Sequence, residues 1–301
     1  GPQAQHRQRA DGSVVRRCTD ELAETVSTVG AGNYACHMRI AMAQINSSDN
    51  PGANLVVVAD AAARAAADGA DLVVFPEATM CRFGVPLGPI AESLDGPWAT
   101  RVSQIAVDRQ IAIIAGMFTP ADDGRVFNTL LIAHPDGRRE SYDKIHLYDA
   151  FGFLESRTVA AGDKPVIVDV AGTTVGVATC YDIRFPDLFT TLAERGAQVI
   201  AVPASWGAGP GKVAQWEVLA TARALDSSCY VVAVGQAEPE DPDLARGSTP
   251  TGVGHSQITD PLGTVVAAYG SGKCVRAHDI DLAAVETART RIAVLANRKS
   301  I

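Results

Sequence analysis

Apolar and polar positions along this chain follow two alternating periods, and the changes of period mark out its elements. From Met38, M-R-I-A-M-A-Q-I reads as a first strand. Asn54 to Asp68 is alanine-rich and predicts a helix, with Gly69 where a C-terminal cap glycine belongs. Asp71 to Phe75 is a short buried strand that stops at Pro76-Glu77. Trp98 to Arg109 predicts a second helix and Ile111 to Phe118 the next strand. Phe127 to Ala133 and Arg138 to Asp143 form a hairpin around His134-Pro135-Asp136-Gly137. Lys144-Ile145-His146-Leu147-Tyr148 follows, then a loop through Phe151-Gly152-Phe153 to Glu155. The β-branched run from Val175 stops at Cys180 and turns through Tyr181 to Pro186. Asp187 to Arg195 then resumes a helical pattern, with Leu188, Leu192 and Ala193 on one face.

The second half repeats the plan of the first. R-A-A-A-D-G-A-D-L-V-V-F-P-E-A, from Arg64, compares with L-A-E-R-G-A-Q-V-I-A-V-P-A-S-W, from Leu192. Ile111 to Phe118 matches Tyr230 to Gln236, and Pro135-Asp136-Gly137 matches Pro261-Leu262-Gly263. Two α-β-α-β-β halves predict an α/β fold built as a pseudo-two-fold sandwich, two sheets face to face with helices outside. The halves differ at one telling place. Pro76 corresponds to Pro203, so the strand end carrying Glu77 in the first half carries Ala204-Ser205-Trp206 in the second. A carboxylate directly after a buried strand is costly to desolvate unless a charged or hydrogen-bonding partner meets it.

Composition narrows the field. At 301 residues, 47% hydrophobic and 20% charged, the chain can bury a large core, and no Pro/Ser-rich linker divides it. A formal net charge of −8 argues against nucleic acid or an anionic membrane as the main partner. The six cysteines include no C-x-x-C pair and no His/Cys cluster at zinc spacing, so no metal is expected, and they read as reduced thiols of a cytoplasmic protein. No secretory or membrane-spanning run is present. Residues 1–37 differ from the rest: Gly1-Pro2 resembles a protease-cleavage scar, and Gln3 to Arg17 is rich in Arg and Gln with little to bury. They are expected to be a mobile and dispensable leader, with 38–301 as one domain.

Glu77, Lys144 and Cys180 each close an apolar strand. A cysteine nucleophile needs a low thiol pKa, a proton carrier for the leaving group and something to hold the oxyanion. An ammonium near a thiol favours the thiolate and can stabilise the oxyanion, and a carboxylate beside it can serve as acid and base, so the three residue types suffice to hydrolyse an amide through a thioester. A lone strand-end cysteine is more often a small core residue.

F-P-E at 75–77, D-K-I-H-L at 143–147 and C-Y-D-I-R-F-P from Cys180 resemble the three signature segments of the nitrilase superfamily of carbon–nitrogen hydrolases. The resemblance runs from about Met38 to Leu295 and is nearest to the Nit-type amidases, which include ω-amidases and deaminated-glutathione amidases. It implies a four-layer α-β-β-α sandwich paired into dimers or higher homo-oligomers, working without a cofactor on a small-molecule amide with release of ammonia. It also implies Cys180 as nucleophile, Glu77 as base and acid, and Lys144 with the Tyr181 backbone N–H as oxyanion stabilisers. Glu155 in F-L-E-S-R would orient Lys144 or the substrate amide. N-carbamoyl amino acid amidohydrolase and nitrilase activities are the nearest alternatives. A silent binding homologue and a redox sensor centred on Cys180 belong to other classes.

Other residues carry weaker expectations. Related carbamoylases place an arginine four residues after the nucleophile to hold a substrate carboxylate, and Arg184 stands at that offset; an ion pair with Asp182 or an acid of the next helix is the structural alternative. Trp206 is expected in a pocket wall, Phe151 and Phe153 in wall or core, and Gly207 to Gly211 as a flexible loop beside it. His146, on the face of Lys144 if both lie in a strand, and His255, at the start of a strand, are expected to be structural. Asn128 is expected to satisfy strand-end backbone groups.

Overall fold

The computed structural model describes residues 37–150, 152–247 and 249–299. The expected leader therefore lies outside the described residues except for His37, and so does Phe151. His37 opens the first strand, paired with Asp281.

The first half of the domain is β1 (His37–Gln44), α1 (Pro51–Ala67), β2 (Leu72–Val74), α2 (Pro97–Arg109), β3 (Ala112–Pro120), β4 (Val126–Ala133) and β5 (Arg139–Asp143). The second is β6 (Val166–Val170), β7 (Thr173–Val177), α3 (Pro186–Glu194), β8 (Val199–Ala204), α4 (Lys212–Ser227), β9 (Tyr230–Gly235), β10 (Gln257–Thr259) and β11 (Val265–Ala268). The chain then returns through β12 (Cys274–Asp281) and α5 (Ala283–Arg291). One sheet has the order β12-β1-β2-β3-β4-β5, and the other β11-β10-β9-β8-β7-β6. Strands β1, β2 and β3 are parallel, as are β7, β8 and β9, with an antiparallel hairpin continuing each set. The internal repeat read from the sequence is thus a repeat of topology.

Side-chain alternation builds the layers. Met38, Ile40 and Met42 of β1 join Tyr230, Val232 and Val234 of β9 in the core between the sheets. Ala41 and Ala43 face the other way, with Val58, Ala62 and Val102 from the helices of the first half. Val231 and Ala233 of β9 likewise meet Leu192, Trp216 and Ala220 of α3 and α4. Strands covered on both faces read as continuous apolar runs, which is why they were legible without alternation.

Several boundaries shift. The run from Val175 leaves the sheet after Val177, and a 3-10 turn occupies Cys180–Arg184. Lys144 and His146 lie beyond the end of β5, so they share no strand face. His255 precedes β10, with φ of +56°.

The packing also sets one backbone approach on which Glu77 depends. Gly116 of β3 donates its N–H to the Pro76 carbonyl, and its own carbonyl accepts from Met80 N–H. A Cβ on Gly116 would lie 2.5 Å from Ala78 N and 2.9 Å from Glu77 Cα. Gly116→Ala is therefore expected to lower stability by about 1–3 kcal/mol through overpacking, read as a fall in the urea midpoint at unchanged slope. It should displace the Glu77 turn at the same time, so turnover is expected to fall more than the loss of folded protein explains.

Candidate active site

The residues singled out by the sequence converge on one cleft. Its empty space, including the open mouth, is about 420 Å³, and its walls include Glu77, Lys144, Glu155, Cys180, Arg184 and Trp206. These side chains lie just past the carboxyl ends of β2, β7 and β8 or beyond β5, where α/β architectures present ligand-binding groups.

Three charged side chains in the cleft floor are almost fully buried: Glu77 is 1% exposed, Lys144 2% and Glu155 4%. Such burial is tolerable only with close pairing and a partner for each lone pair. Lys144 Nζ donates to Glu77 Oε1 at 3.1 Å and to Glu155 Oε1 and Oε2 at 3.1 and 2.9 Å. Glu77 Oε2 accepts from the Ser205 backbone N–H at 2.8 Å, and Glu155 Oε2 from Tyr148 N–H at 2.6 Å. Burial alone would depress the Lys144 ammonium, but Glu155 and Glu77 outweigh it and hold its pKa well above the ordinary lysine value. Ser205 stands one residue before Trp206, so the backbone of the second-half strand end meets the carboxylate of its first-half counterpart.

Asn128 is the residue that the sequence reading misplaced. Instead of serving strand-end backbone groups with its side chain, it donates Nδ2 to Glu77 Oε1 at 2.8 Å and Glu155 Oε1 at 3.2 Å. Its backbone carbonyl accepts from Lys144 N–H at 2.9 Å. Its side-chain Oδ1 is buried without a partner, a situation that costs about 1–3 kcal/mol. No spacing rule signals this role, because it arises from β4 lying beside Glu77 and Lys144 in the fold.

Cys180 sits at the start of the 3-10 turn with φ of +47°, a left-handed conformation rare for a residue with a side chain. Such strain persists only where surrounding contacts over-determine it. Asp182 supplies those contacts. This fully buried carboxylate accepts from Tyr142 Oη at 2.6 Å, Thr179 N–H at 2.8 Å and His146 N–H at 2.9 Å, and lies 2.7 Å from His146 Nδ1. It ties the Lys144 segment to the Cys180 turn. His146 also stacks on Phe185, with centroids 3.7 Å apart, which fits its expected structural role. His255 pairs with Glu217 through Nδ1 at 2.9 Å.

Asp182 being thus engaged, the ion pair weighed for Arg184 does not form with it, and the acids of α3, Asp187 and Glu194, lie against Arg298. The Arg184 guanidinium donates instead to Gln215 Oε1 at 2.7 Å and lies over the rings of Trp206 and Tyr181, 5.2 and 6.0 Å from their centroids. Trp206 is in the wall, its Nε1 donating to the Lys212 carbonyl at 2.9 Å. Phe153, Tyr148, Gly207 and Lys212 complete that side. Burial, then the charge of Arg184, lowers the Lys212 pKa. Lys212 was not read from the sequence as a site residue. Among the described residues no His/Cys/Asp/Glu group could hold a metal ion.

Comparison with known proteins places this geometry in a family. The family described as carbon-nitrogen hydrolase matches residues 39–290. "Hydrolase Rv0480c" of Mycobacterium tuberculosis is 58% identical over 267 residues, covering 87% of this chain and 95% of that protein. The deaminated glutathione amidase of Escherichia coli O157:H7 is 33% identical over 250 residues, covering 82% and 91%. Among solved structures, Saccharomyces cerevisiae Nit3, a member of branch 10 of the nitrilase superfamily, superposes with a TM-score of 0.76 at 26% identity, covering 87% and 96%.

The thiol has its own prediction. Against the low thiol pKa expected from the sequence, burial and the Glu77 charge push the Cys180 pKa well above the ordinary thiol value, and Lys144 offsets only part of this. Sγ also lies 3.9 Å from the Ser205 carbonyl, an acceptor that suits an S–H, and both observations point to a neutral thiol. The ultraviolet thiolate absorbance of the protein, less that of Cys180→Ala, is expected to show no step below about pH 9; a step near neutrality would mean a preformed thiolate.

Proposed function

The chain belongs to the carbon–nitrogen hydrolase family, within the amidase branches of the nitrilase superfamily, and we propose that it hydrolyses a small carboxylate-bearing amide through a thioester on Cys180. The observation that carries this reading is the buried Lys144 ammonium shared by Glu77 and Glu155 in the cleft that holds Cys180.

In the proposed cycle the substrate carbonyl approaches Cys180 with its oxygen toward Lys144 Nζ and the Tyr181 N–H. Sγ attacks the carbonyl carbon while the thiol proton passes to Glu77, so no free thiolate is needed beforehand. The high thiol pKa supports this concerted order. Negative charge on the oxygen is stabilised by Lys144, a type of contact worth about a hundred- to a thousandfold in rate. The C–N bond breaks as Glu77 returns the proton to nitrogen, and ammonia leaves. Water then attacks the thioester, giving its proton to Glu77; the C–S bond breaks, the acid departs and the thiol regains its proton. Glu155, held by Lys144, Asn128 and Tyr148 N–H, keeps the ammonium directed at the oxyanion. No step requires a cofactor.

Arg184 supports an anionic substrate. Its guanidinium faces the cleft beside Lys212, held by an uncharged amide and aromatic faces, and its planar donors match a carboxylate. Trp206 forms the wall against which the substrate chain lies. Exposed apolar residues of α4 and the β10–β11 hairpin, including Val218, Leu225, Leu262 and Val265, support a homodimer or higher homo-oligomer. The free cysteines among the described residues support a cytoplasmic place of work, and no helix among those residues is long and apolar enough to cross a membrane.

Ammonia release from ω-amides, deaminated glutathione, carbamoyl amino acids and nitriles, measured side by side, tests the reading. Cys180→Ala is expected to abolish turnover without loss of fold, and intact-mass analysis of the wild type with a slow substrate should show an acyl adduct on Cys180. Wild-type activity in Cys180→Ala refutes the mechanism, and preference for a nitrile or carbamoyl substrate moves the enzyme to the neighbouring class.

Arg184 gives a separable prediction. Arg184→Lys is expected to raise KM for carboxylate-bearing amides by about ten- to a hundredfold while sparing their neutral analogues. Equal loss against both, or a lowered Tm, would assign Arg184 to the fold instead.

A further inference from the structure

Two carboxylate oxygens of like charge share the same two donors in the cleft floor. Glu77 Oε1 and Glu155 Oε1 each accept from Lys144 Nζ at 3.1 Å and from Asn128 Nδ2, at 2.8 and 3.2 Å. One ammonium charge therefore serves two carboxylates, and the neutral amide of Asn128 is the second donor holding them together. The amide gives up half of its own hydrogen bonding to do so, because Oδ1 is left buried and unpartnered. Turning the amide over would aim Oδ1 at both carboxylate oxygens, so the carboxylates fix its direction. The same residue accepts Lys144 N–H through its backbone carbonyl at 2.9 Å. Asn128 thus touches Glu77, Glu155 and Lys144 but stands outside the cleft wall.

We propose that Asn128 is a positioning residue for proton transfer: by binding Glu77 Oε1 and Glu155 Oε1 together it fixes the Glu77 carboxylate and the Lys144 ammonium at the thiol and the oxyanion. This rests on the reading of the cleft as a cysteine amidase. The shared donor gives the role a distinctive sign. Both side-chain hydrogen bonds of Asn128 go to carboxylates of the cleft floor, at 2.8 and 3.2 Å, so what the amide holds is the site. Removing the amide takes one donor from carboxylates that keep Lys144 and also removes the unpartnered oxygen, so its effects on stability oppose each other while turnover falls.

Asn128→Leu keeps the backbone carbonyl contact to Lys144, approximates the side-chain volume and removes both the donor and the orphaned oxygen. With the amide that the wild type turns over best, kcat is expected to fall about ten- to a hundredfold, the scale of a small misplacement of a reacting group. KM should stay within about twofold and Tm should change little. Asn128→Asp preserves shape but sets a third acidic group against the carboxylates, and its kcat is expected to fall further. Asn128→Ser, which can reach at most one carboxylate, should lie between Leu and wild type. Where the leucine variant does not fold, the aspartate and serine variants carry the same test. Wild-type kcat in any folded variant of the three overturns the proposal, as does a fall in kcat that tracks a fall in Tm across them. Wild type and Cys180→Ala are assayed alongside: activity in the first and none in the second leaves the amidase reading standing whatever Asn128 does, and activity surviving in Cys180→Ala fails that reading instead.

Discussion

The burial of one ammonium between two carboxylates is the constraint on which the rest of this structure depends. Lys144, Glu77 and Glu155 are each at most 4% exposed, and stripping water from three charges is unfavourable by several kcal/mol per ion unless every one is closely paired. The fold answers with fixed donors: Asn128 from β4, Ser205 N–H at the end of β8, and Tyr148 N–H from the loop after β5. Each donor comes from a different element, so the cluster assembles only where these elements meet. Gly116 belongs to the same account, because the absence of a side chain there lets the turn carrying Glu77 settle against β3.

A second device works alongside the first. Cys180 holds a left-handed backbone conformation that disfavours any residue with a Cβ, and the chain accepts it in order to project the thiol into the cleft. Asp182 offsets that cost. Its carboxylate gathers N–H and O–H donors from the Tyr142–His146 stretch of the first half and from Thr179 of the second. The proposed oxyanion stabiliser and the proposed nucleophile thereby move together. Their relative position is set by a buried charge-assisted network and does not rely on loop stiffness.

The parallel strands and their crossover helices were legible because burial on both faces leaves continuous apolar runs, and because Pro and Gly punctuate them. The pseudo-two-fold plan was legible from two short matching stretches. β12 and α5 were not: Cys274–Asp281 mixes polar and apolar residues along a half-exposed strand whose place is fixed by distant β1. At the site, Glu77, Lys144, Glu155 and Cys180 announced themselves by standing at strand or loop ends in recognisable motifs. Asn128, Asp182 and Lys212 carried no such signal in their assigned roles. Asp182 is weighed in the sequence as a partner of Arg184, whereas beyond the nearby Thr179 its partners Tyr142 and His146 lie 40 and 36 residues away in the chain. Contacts at that separation are properties of topology and have no local spacing to read.

The repeat explains why such a site needs both halves. Pro76 and Pro203 occupy matching strand ends, one leading into a carboxylate and the other into Ser205 and Trp206. In the folded domain these ends face each other, since Ser205 N–H binds Glu77 Oε2 at 2.8 Å. The first half contributes Glu77, Asn128 and Lys144; the second contributes Cys180 at the end of β7 and the backbone amide of Ser205. Exact symmetry at this place would set two carboxylates, or two neutral amides, against each other. The first arrangement would repel and the second would leave no charged proton carrier. Divergence between the halves at these strand ends therefore turns a structural axis into a polar pair, with an anion on one side and its donor on the other. The core between the sheets takes no part in that difference, because neither strand end belongs to it. The chemistry could thus be built by changing residues at the rim of the repeat while the alternating apolar interior that joins the sheets stayed as it was.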